Sequence, residues 1–145
     1  MEKLPHIIKG GNHTDVRGTI SFMNDFDMSE VKRFYIITHS DTIVKRGWRG
    51  HKIEQRWFYV TQGEFLVSIA KIGDFSETPS SLVIEEFLMS ASSTEILHVP
   101  PGYATLIQAV RASSSLLVFA DYGIEHAQHD DHVYPFEHFT SIKKL

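Results

Sequence analysis

Short segments of alternating apolar and polar residues, separated by turns, constrain this chain more than any other feature. Alternation with a period of two is typical of strands with one buried face, whereas an amphipathic helix needs a period of 3.6. The pattern therefore predicts an all-β sandwich or barrel with little helix. The predicted strands cover Thr19–Met23, Val31–Thr38, Thr42–Lys45, Phe65–Ile72, Leu82–Met89, Glu95–Val99, Ala104–Val110 and Ser115–Ala120.

The remaining segments are arms, loops and a tail. Met1–Asn12 is typical of a short β-arm, and Gly73–Ser80 contains the Gly, Asp, Ser and Pro of a loop. After Asp121 the strand pattern ends. Ile124–His132 is polar and rich in histidine, which predicts a solvated tail, and Phe136–Ile142 predicts either one short helix or a cover over a barrel end.

Composition limits the class of protein. A chain of 145 residues with 42% hydrophobic and 22% charged residues predicts one globular domain, residues 1–145. A net charge of −4 without a basic block argues against nucleic acid as the main partner. The lack of cysteine excludes disulfides and thiolate metal sites and fits a cytoplasmic protein, and no apolar stretch is long enough to span a membrane.

The stretch Arg46–Phe65 organises the predicted fold. Glycine-containing turns at Gly47/Gly50 and at the hairpin Gln62-Gly63 bracket a run with strand character. Alternation from His51 divides this run into two faces. One face mixes a histidine and an amide with aromatic residues, as small-molecule pockets do, although the polar end of an ordinary strand has the same pattern. The pocket face holds His51, Ile53, Gln55, Trp57 and Tyr59, and the wet face holds Lys52, Glu54 and Arg56.

Several motifs, in their order and spacing, resemble one known family. It comprises the small RmlC-like and WxcM-like cupins that act on nucleotide-linked 4-keto-sugars, namely dTDP-4-dehydrorhamnose 3,5-epimerases and dTDP-4-keto-6-deoxyhexose 3,4-ketoisomerases. The motifs are Asp15-x-Arg17-Gly18, Arg33-x-Tyr35, Arg46-Gly47-Trp48-Arg49-Gly50-His51-Lys52, Gln62-Gly63, Val99-Pro100-Pro101-Gly102-Tyr103 and Leu117-Val118-Phe119-Ala120-Asp121.

The resemblance implies a cupin jelly-roll β-barrel that binds a nucleotide sugar in the barrel mouth. It implies a metal-independent isomerase that enolises the sugar next to its ketone, either as a 3,5-epimerase or as a 3,4-ketoisomerase. It also implies a homodimer. Pairing of a second copy with the N-terminal arm and the open strand edges would satisfy their unpaired backbone groups.

The sequence departs from the family at Arg49. Ketoisomerases of this kind carry an Arg-Gly-x-His-x-His pattern, and here only the second histidine is present, as His51. Arginine stays protonated, so Arg49 is a poor base but can bind a phosphate or stabilise an enolate. Metal-binding cupins need a third histidine where this chain has Thr105, so we expect neither a metal nor another cofactor.

His51 is the best candidate for the catalytic base, because histidine titrates near neutral pH without heavy tuning. The alternative is a histidine that lines the barrel and is satisfied by a neighbour. Tyr35 is a candidate proton donor or sugar ligand, with an aromatic core wall as the alternative. Asp121 ends a strand and is a candidate to orient His51, although a solvated strand end fits equally well.

The candidate substrate ligands are arginines and pocket-face side chains. A guanidinium binds two phosphate oxygens at once, so the arginines are candidates for a diphosphate, with surface ion pairs as the alternative. Trp57 can stack on a sugar or base, and Tyr59 can donate a hydrogen bond, but both also fit a core position. The full set is Arg17, Arg33, Arg46, Arg49, Gln55, Trp57 and Tyr59.

Three functions remain open on sequence alone. The chain is an isomerase that uses His51, a non-catalytic module that binds sugar nucleotides after loss of the usual histidine, or a structural dimer with a vestigial pocket. The sequence carries no motif that selects a particular sugar, carbon or nucleotide base.

Overall fold

The computed structural model describes residues 3–72, 83–139 and 142–143. The all-β prediction is confirmed, since most of these residues lie in strands, and their helical part is one α-helical turn and two 3₁₀ turns. The strands are β1 (His6–Lys9), β2 (Gly11–Asp15), β3 (Gly18–Phe22), β4 (Arg33–His39), β5 (Lys45–His51), β6 (Arg56–Gln62), β7 (Glu64–Lys71), β8 (Val83–Ser90), β9 (Glu95–Val99), β10 (Tyr103–Ala109), β11 (Ser114–Ala120), β12 (His132–Val133) and β13 (Ile142–Lys143). The helical turns are α1 (Ile124–Ala127), Gln128–Asp130 and Phe136–Phe139.

Two sheets enclose the core. Within the described residues, one sheet has the order β1-β9-β6-β11-β4, the other has β12-β5-β10-β7-β8-β13, and β2 and β3 form a separate hairpin. β13 runs parallel to β8, and the other pairs are antiparallel. Apolar side chains from both sheets pack together, and burial of each large one stabilises the fold by about 1.5–3 kcal/mol. They include Phe58, Val60, Phe65, Val67, Ile69, Leu97, Ile107, Leu116 and Val118.

The predicted alternation is confirmed in β4. Tyr35 and Ile37 pack against the core, whereas Phe34 and Ile36 point outward with 64% and 60% of their surface exposed. These two side chains leave an apolar patch on the outer face of the five-stranded sheet, at the edge strand β4. The homodimer stays a prediction, and this patch is a surface on which a second copy would find apolar area to bury.

The central stretch differs from its prediction. Gly47 and Gly50 do not form a turn but lie inside β5, which ends at His51. β6 does not begin until Arg56, so residues 52–55 are not strand. The strand is interrupted because the backbone N–H groups of residues 52, 53 and 54 all donate to the Asp130 carboxylate. The alternation expected from His51 to Tyr59 was therefore wrong.

Two smaller predictions also need correction. The strand expected at Thr42–Lys45 is absent, because Asp41 Oδ1 accepts hydrogen bonds from the amides of residues 43 and 44 and forms a turn before β5. Gln62-Gly63 does form a tight turn, but β6 and β7 belong to different sheets rather than to one hairpin. Gly63 has φ = 75°, and a Cβ there would lie 2.1 Å from Ser114 Oγ.

Two further observations concern the predicted Gly73–Ser80 loop and the length of the helices. The loop predicted at Gly73–Ser80 lies outside the described residues. No helix in the described ranges is long and apolar enough to cross a membrane.

Candidate functional site

A cavity of about 640 Å³ lies between β4, β5, the start of β6, β10 and residues 124–131. Its wall combines apolar side chains with a high density of charge. The apolar residues include Tyr35, Ile37, Ile107 and Ile124, and the titratable residues are Arg33, Arg46, Arg49, His51, Glu54, Arg56 and Asp131. An apolar wall with a few converging polar groups is typical of a small-molecule site.

His51 is held in one tautomer. Its Nδ1 lies 2.7 Å from the main-chain oxygen of Asp130, and a carbonyl can only accept, so Nδ1 carries the proton. In the neutral ring Nε2 is then the basic nitrogen. Burial, the charge of Arg56 and, to a smaller extent, the charge of Arg49 lower the pKa of His51 to about 3, although the hydrogen bond to Asp130 and the charge of Asp130 oppose them. The free protein therefore holds His51 as a neutral base at pH 7.

Asp130 organises the residues around His51. Its side chain is buried, and its two carboxylate oxygens accept hydrogen bonds of 2.7–2.8 Å from the amides of residues 52, 53 and 54. The same residue supplies the main-chain acceptor for His51 Nδ1. Asp130 thus ties the C-terminal segment to the end of β5 and fixes both His51 and the residues that follow it.

Glu54 lies beside the histidine, with only 2% of its surface exposed. Its Oε2 is 3.6 Å from His51 Nε2, and its Oε1 accepts a hydrogen bond of 3.0 Å from Arg33 Nη2. Burial raises the pKa of the Glu54 carboxyl, and the positive charges of Arg56 and Arg33 oppose that effect. Arg33 also donates from Nε to the Tyr122 main-chain oxygen, so its guanidinium is fixed at two points.

Arg56 is a buried cation at the first position of β6. Only 3% of its surface is exposed, and its Nη2 donates to Thr105 Oγ1 at 3.3 Å. Its Nε has no hydrogen-bond partner among the described residues. A buried guanidinium with an unused donor is costly, and its positive charge lies in the cavity wall.

Arg49 has a different environment from His51, although both lie on β5. Its side chain is 51% exposed, and Nε lies 3.3 Å from Asp131 Oδ1. The position that holds a histidine in the ketoisomerase pattern is therefore occupied here by a half-exposed, paired arginine at the cavity wall.

Five of the predicted site residues line this cavity. They are His51, Tyr35, Arg33, Arg46 and Arg49. Arg33 Cζ lies 5.3 Å from the centre of the Tyr35 ring, so these two residues form one side of the wall.

Asp121 was expected to orient His51 but pairs with Gln55, and Gln55, a predicted substrate ligand, does not line the cavity. The Asp121 carboxylate accepts hydrogen bonds from the Gln55 backbone N–H at 2.8 Å and from Gln55 Nε2 at 2.9 Å. Gln55 Oε1 in turn accepts from His98 Nε2 at 2.7 Å. Because the strand is interrupted before Arg56, Gln55 points away from the cavity, and the two polar atoms nearest to the His51 ring come from Asp130 and Glu54.

Trp57 and Tyr59 of β6 lie on the opposite face of the sheet from the cavity. Trp57 stacks on His98 with ring centres 5.1 Å apart, and Phe26 covers it at 5.5 Å. Tyr59 is half-buried on the same strand face. Neither Trp57 nor Tyr59 lines the cavity, because Arg56 rather than Trp57 points inward at the start of β6.

Arg17 lies in the β2–β3 hairpin, away from the cavity. Its side chain is 82% exposed and pairs with Asp15 through an Nη2–Oδ2 contact of 2.6 Å. This local pair accounts for the Asp15-x-Arg17 spacing within the chain.

Sequence reasoning did not place four residues at the site: Glu54, Arg56, Asp130 and Asp131. Glu54 and Arg56 were assigned to a wet strand face, and the tail was expected to be solvated. One signal was present for Arg56, which is a lone charge at the start of the apolar run Trp57–Val60. Asp130 had no local signal, because its partners are 76 to 78 positions away.

The described residues contain no group of three or more His, Cys, Asp or Glu side chains that could hold a metal ion. Thr105, at the position of the last metal ligand in metal-binding cupins, accepts a hydrogen bond from the Arg56 guanidinium.

The two-sheet fold and its cavity define an RmlC-like cupin, as the resemblance implied. A family model described as FdtA, WxcM-like, C-terminal matches residues 2–144, and the chain belongs to this family. No sequence among curated proteins matches it.

Solved structures share the fold at low sequence identity. The RmlC epimerase of Mycobacterium tuberculosis has a TM-score of 0.76 at 15% identity, covering 92% of this chain and 70% of that chain. The sugar 3,4-ketoisomerase QdtA of Thermoanaerobacterium thermosaccharolyticum, in complex with TDP, has a TM-score of 0.68 at 20% identity, covering 92% and 89%. The RmlC epimerase of Legionella pneumophila, in complex with dTDP-4-keto-L-rhamnose, has a TM-score of 0.71 at 14% identity, covering 91% and 73%.

We expect Asp130→Asn to destabilise the protein far more than Asp131→Asn. In asparagine an NH₂ group replaces one of the two acceptor oxygens, and it cannot accept a hydrogen bond from a backbone N–H. Each buried hydrogen bond that is lost costs roughly 1–3 kcal/mol. Asp131 forms a half-exposed ion pair, worth less than about 1 kcal/mol. Urea unfolding of both variants checks this prediction, and equal losses would contradict the role of Asp130.

Buried His98 predicts a loss of stability in acid. Burial lowers its pKa from 6.5 to about 4, with smaller contributions from His6 and Lys3. Between these values the unfolded chain binds a proton that the folded chain does not, so stability is complete above the window and falls as pH falls through it. For each pH unit of acidification near pH 5, the free energy of unfolding of His98→Gln should fall by about 1.4 kcal/mol less than that of the wild type. Urea unfolding of both proteins at pH 7 and pH 5 measures this difference. An equal loss of unfolding free energy in the two proteins would contradict the prediction.

Proposed function

We propose that this protein is a nucleotide-sugar isomerase that acts on a dTDP-4-keto-6-deoxyhexose by enolisation next to the ketone. One observation carries the proposal: His51 faces a charged cavity as a neutral imidazole whose basic nitrogen is Nε2. Solved proteins of the same fold bind such ligands, including QdtA with TDP-4-keto-6-deoxyglucose.

The charge of the cavity wall favours an anionic ligand. Four arginines, Asp131 and Glu54 line the described part of the cavity, which leaves at least two positive charges while His51 is neutral. A nucleoside diphosphate sugar carries two negative charges on its diphosphate and would balance this excess. Arg46 and Arg49 are the candidates to bind it, because guanidinium groups bind phosphate oxygens bidentately.

Enolisation needs a base and a group that stabilises the negative charge which develops on the ketone oxygen. His51 Nε2 takes the proton from the carbon next to the ketone, and the electron pair of that C–H bond moves toward the oxygen. Arg56 is the candidate to stabilise this oxygen, because its guanidinium lies in the cavity wall and donates to the neutral hydroxyl of Thr105. Arg33 is less suited, since it already pairs with Glu54.

Binding of the diphosphate also makes His51 a stronger base. The charges of Arg56 and Arg49 lower the pKa of His51 in the free protein. A diphosphate bound by Arg49 opposes the effect of that arginine, so the pKa of His51 rises when the ligand is bound. The apolar side chains of Ile37 and Ile107 provide the wall for the sugar ring and its methyl group.

A second candidate function is a non-catalytic module that binds sugar nucleotides. The observation that favours it is Arg49, which stands where ketoisomerases have a histidine and is paired with Asp131. Such a module would keep the affinity for dTDP and lack proton transfer.

We expect the protein to exchange the C3 or C5 proton of dTDP-4-keto-6-deoxyglucose for deuterium in D₂O, as followed by NMR. His51→Asn should slow this exchange by at least about 100-fold, because general base catalysis contributes that much or more. The exposed histidine variant His126→Asn is the matched control and should exchange at the wild-type rate.

Thermal unfolding with dTDP separates the two candidates. A ligand that binds only the native state raises the melting temperature. A rise without exchange in the wild type would support the binding module, whereas neither a rise nor exchange would contradict both candidates.

A further inference from the structure

The carboxyl group of Glu54 has no assigned part in the enolisation described above. It nevertheless lies in the cavity wall, with Oε2 3.6 Å from the basic nitrogen of His51. Its backbone amide is anchored on Asp130, and the next residue, Gln55, is clamped by Asp121. The carboxyl group is therefore held beside His51 by fixed neighbours on both sides.

Glu54 is buried, and its two carboxyl oxygens have different neighbours. Arg33 donates to Oε1, while Oε2 faces the histidine, whose Nε2 has no proton to donate in the neutral ring. A protonated Glu54 resolves this contact, because its O–H can point toward Nε2 or toward a ligand. Burial raises the pKa of Glu54, which is the direction that favours the protonated carboxyl group.

The 4-keto and 3-keto forms of the sugar differ in the positions of two protons. One proton moves from C3 to C4, and another moves from O3 to O4. Epimerisation at C3 or C5 needs only the exchange of a carbon-bound proton and leaves the oxygens as they were. A ketoisomerase therefore needs a second acid–base group that reaches the oxygens while the first reaches the neighbouring carbons.

We propose that Glu54 is this second catalytic residue, which transfers the proton between the two sugar oxygens and so makes the site a 3,4-ketoisomerase. The inference rests on the proposed function. His51 Nε2 removes the C3 proton, the C3–H electron pair forms the C3=C4 bond, and O4 accepts the proton of the Glu54 carboxyl. The resulting carboxylate then takes the O3 proton as C3=O forms, and C4 accepts the proton from the His51 imidazolium.

The step balances without a co-reactant. Glu54 and His51 each begin and end in their original protonation states, and the ketone has moved from C4 to C3. Without the Glu54 proton, the enolate can only return a proton to C3. Loss of Glu54 should therefore block the product and leave exchange at C3.

The test compares two signals in one NMR experiment, with dTDP-4-keto-6-deoxyglucose in D₂O. The wild type should exchange the C3 proton and form the 3-keto product. Glu54→Gln keeps an oxygen for Arg33 and should retain C3 exchange within about 10-fold, while formation of the 3-keto product falls by at least about 100-fold. Glu125→Gln, an exposed variant on α1, should match the wild type in both signals.

Each other outcome overturns a specific claim. A 3-keto product formed by Glu54→Gln at the wild-type rate would overturn the role of Glu54. Equal losses of exchange and product in a folded Glu54→Gln would also overturn it, because they indicate a structural role. C3 and C5 exchange without any 3-keto product in the wild type would overturn the ketoisomerase assignment and leave the isomerase proposal in place. Absence of all proton exchange would contradict both the ketoisomerase assignment and the isomerase proposal.

Discussion

The carboxylate of Asp130 is the interaction on which the site depends. It accepts hydrogen bonds from the backbone N–H groups of residues 52, 53 and 54, which directly follow β5. The main-chain oxygen of Asp130 then selects the His51 tautomer. Removal of this contact would free the C-terminal segment, the histidine and Glu54 together. One buried carboxylate thus connects the fold of the chain to the chemistry of its cavity.

The charges around His51 explain why a protein with a net charge of −4 can present a positive cavity. Arg33 donates a hydrogen bond to Glu54, and Asp131 compensates Arg49 at the more exposed position. Arg56 is buried, and its only hydrogen bond within the described residues is to the neutral hydroxyl of Thr105. The charge of Arg56 acts on both His51 and Glu54. The cavity therefore holds a buried cation next to a neutral base, which is the arrangement that an enolisation requires.

The sequence predicts much of this fold because alternation is a local property. β9 was predicted at its observed bounds, Glu95–Val99, and β4 within two residues. The error came at residues 52–55, where hydrogen bonds to Asp130, 76 to 78 positions away, interrupt the strand. This interruption reverses the faces of β6, so Arg56 enters the cavity and Trp57 leaves it. His51, Tyr35 and three arginines, which the motifs selected, line the cavity. The motifs did not select Asp130, because its role depends on contacts that only the folded chain forms.

The central claim is that His51 stands in the cavity as a neutral imidazole with its proton on Nδ1. Two-dimensional ¹⁵N–¹H NMR of the histidine side chains, with His51→Asn used for assignment, measures this tautomer directly. At pH 7 we expect a protonated Nδ1 and an unprotonated Nε2 for His51, and we expect the ¹⁵N chemical shift of Nε2 to change when dTDP binds. A proton on Nε2, or an imidazolium at pH 7 in the free protein, would contradict the account.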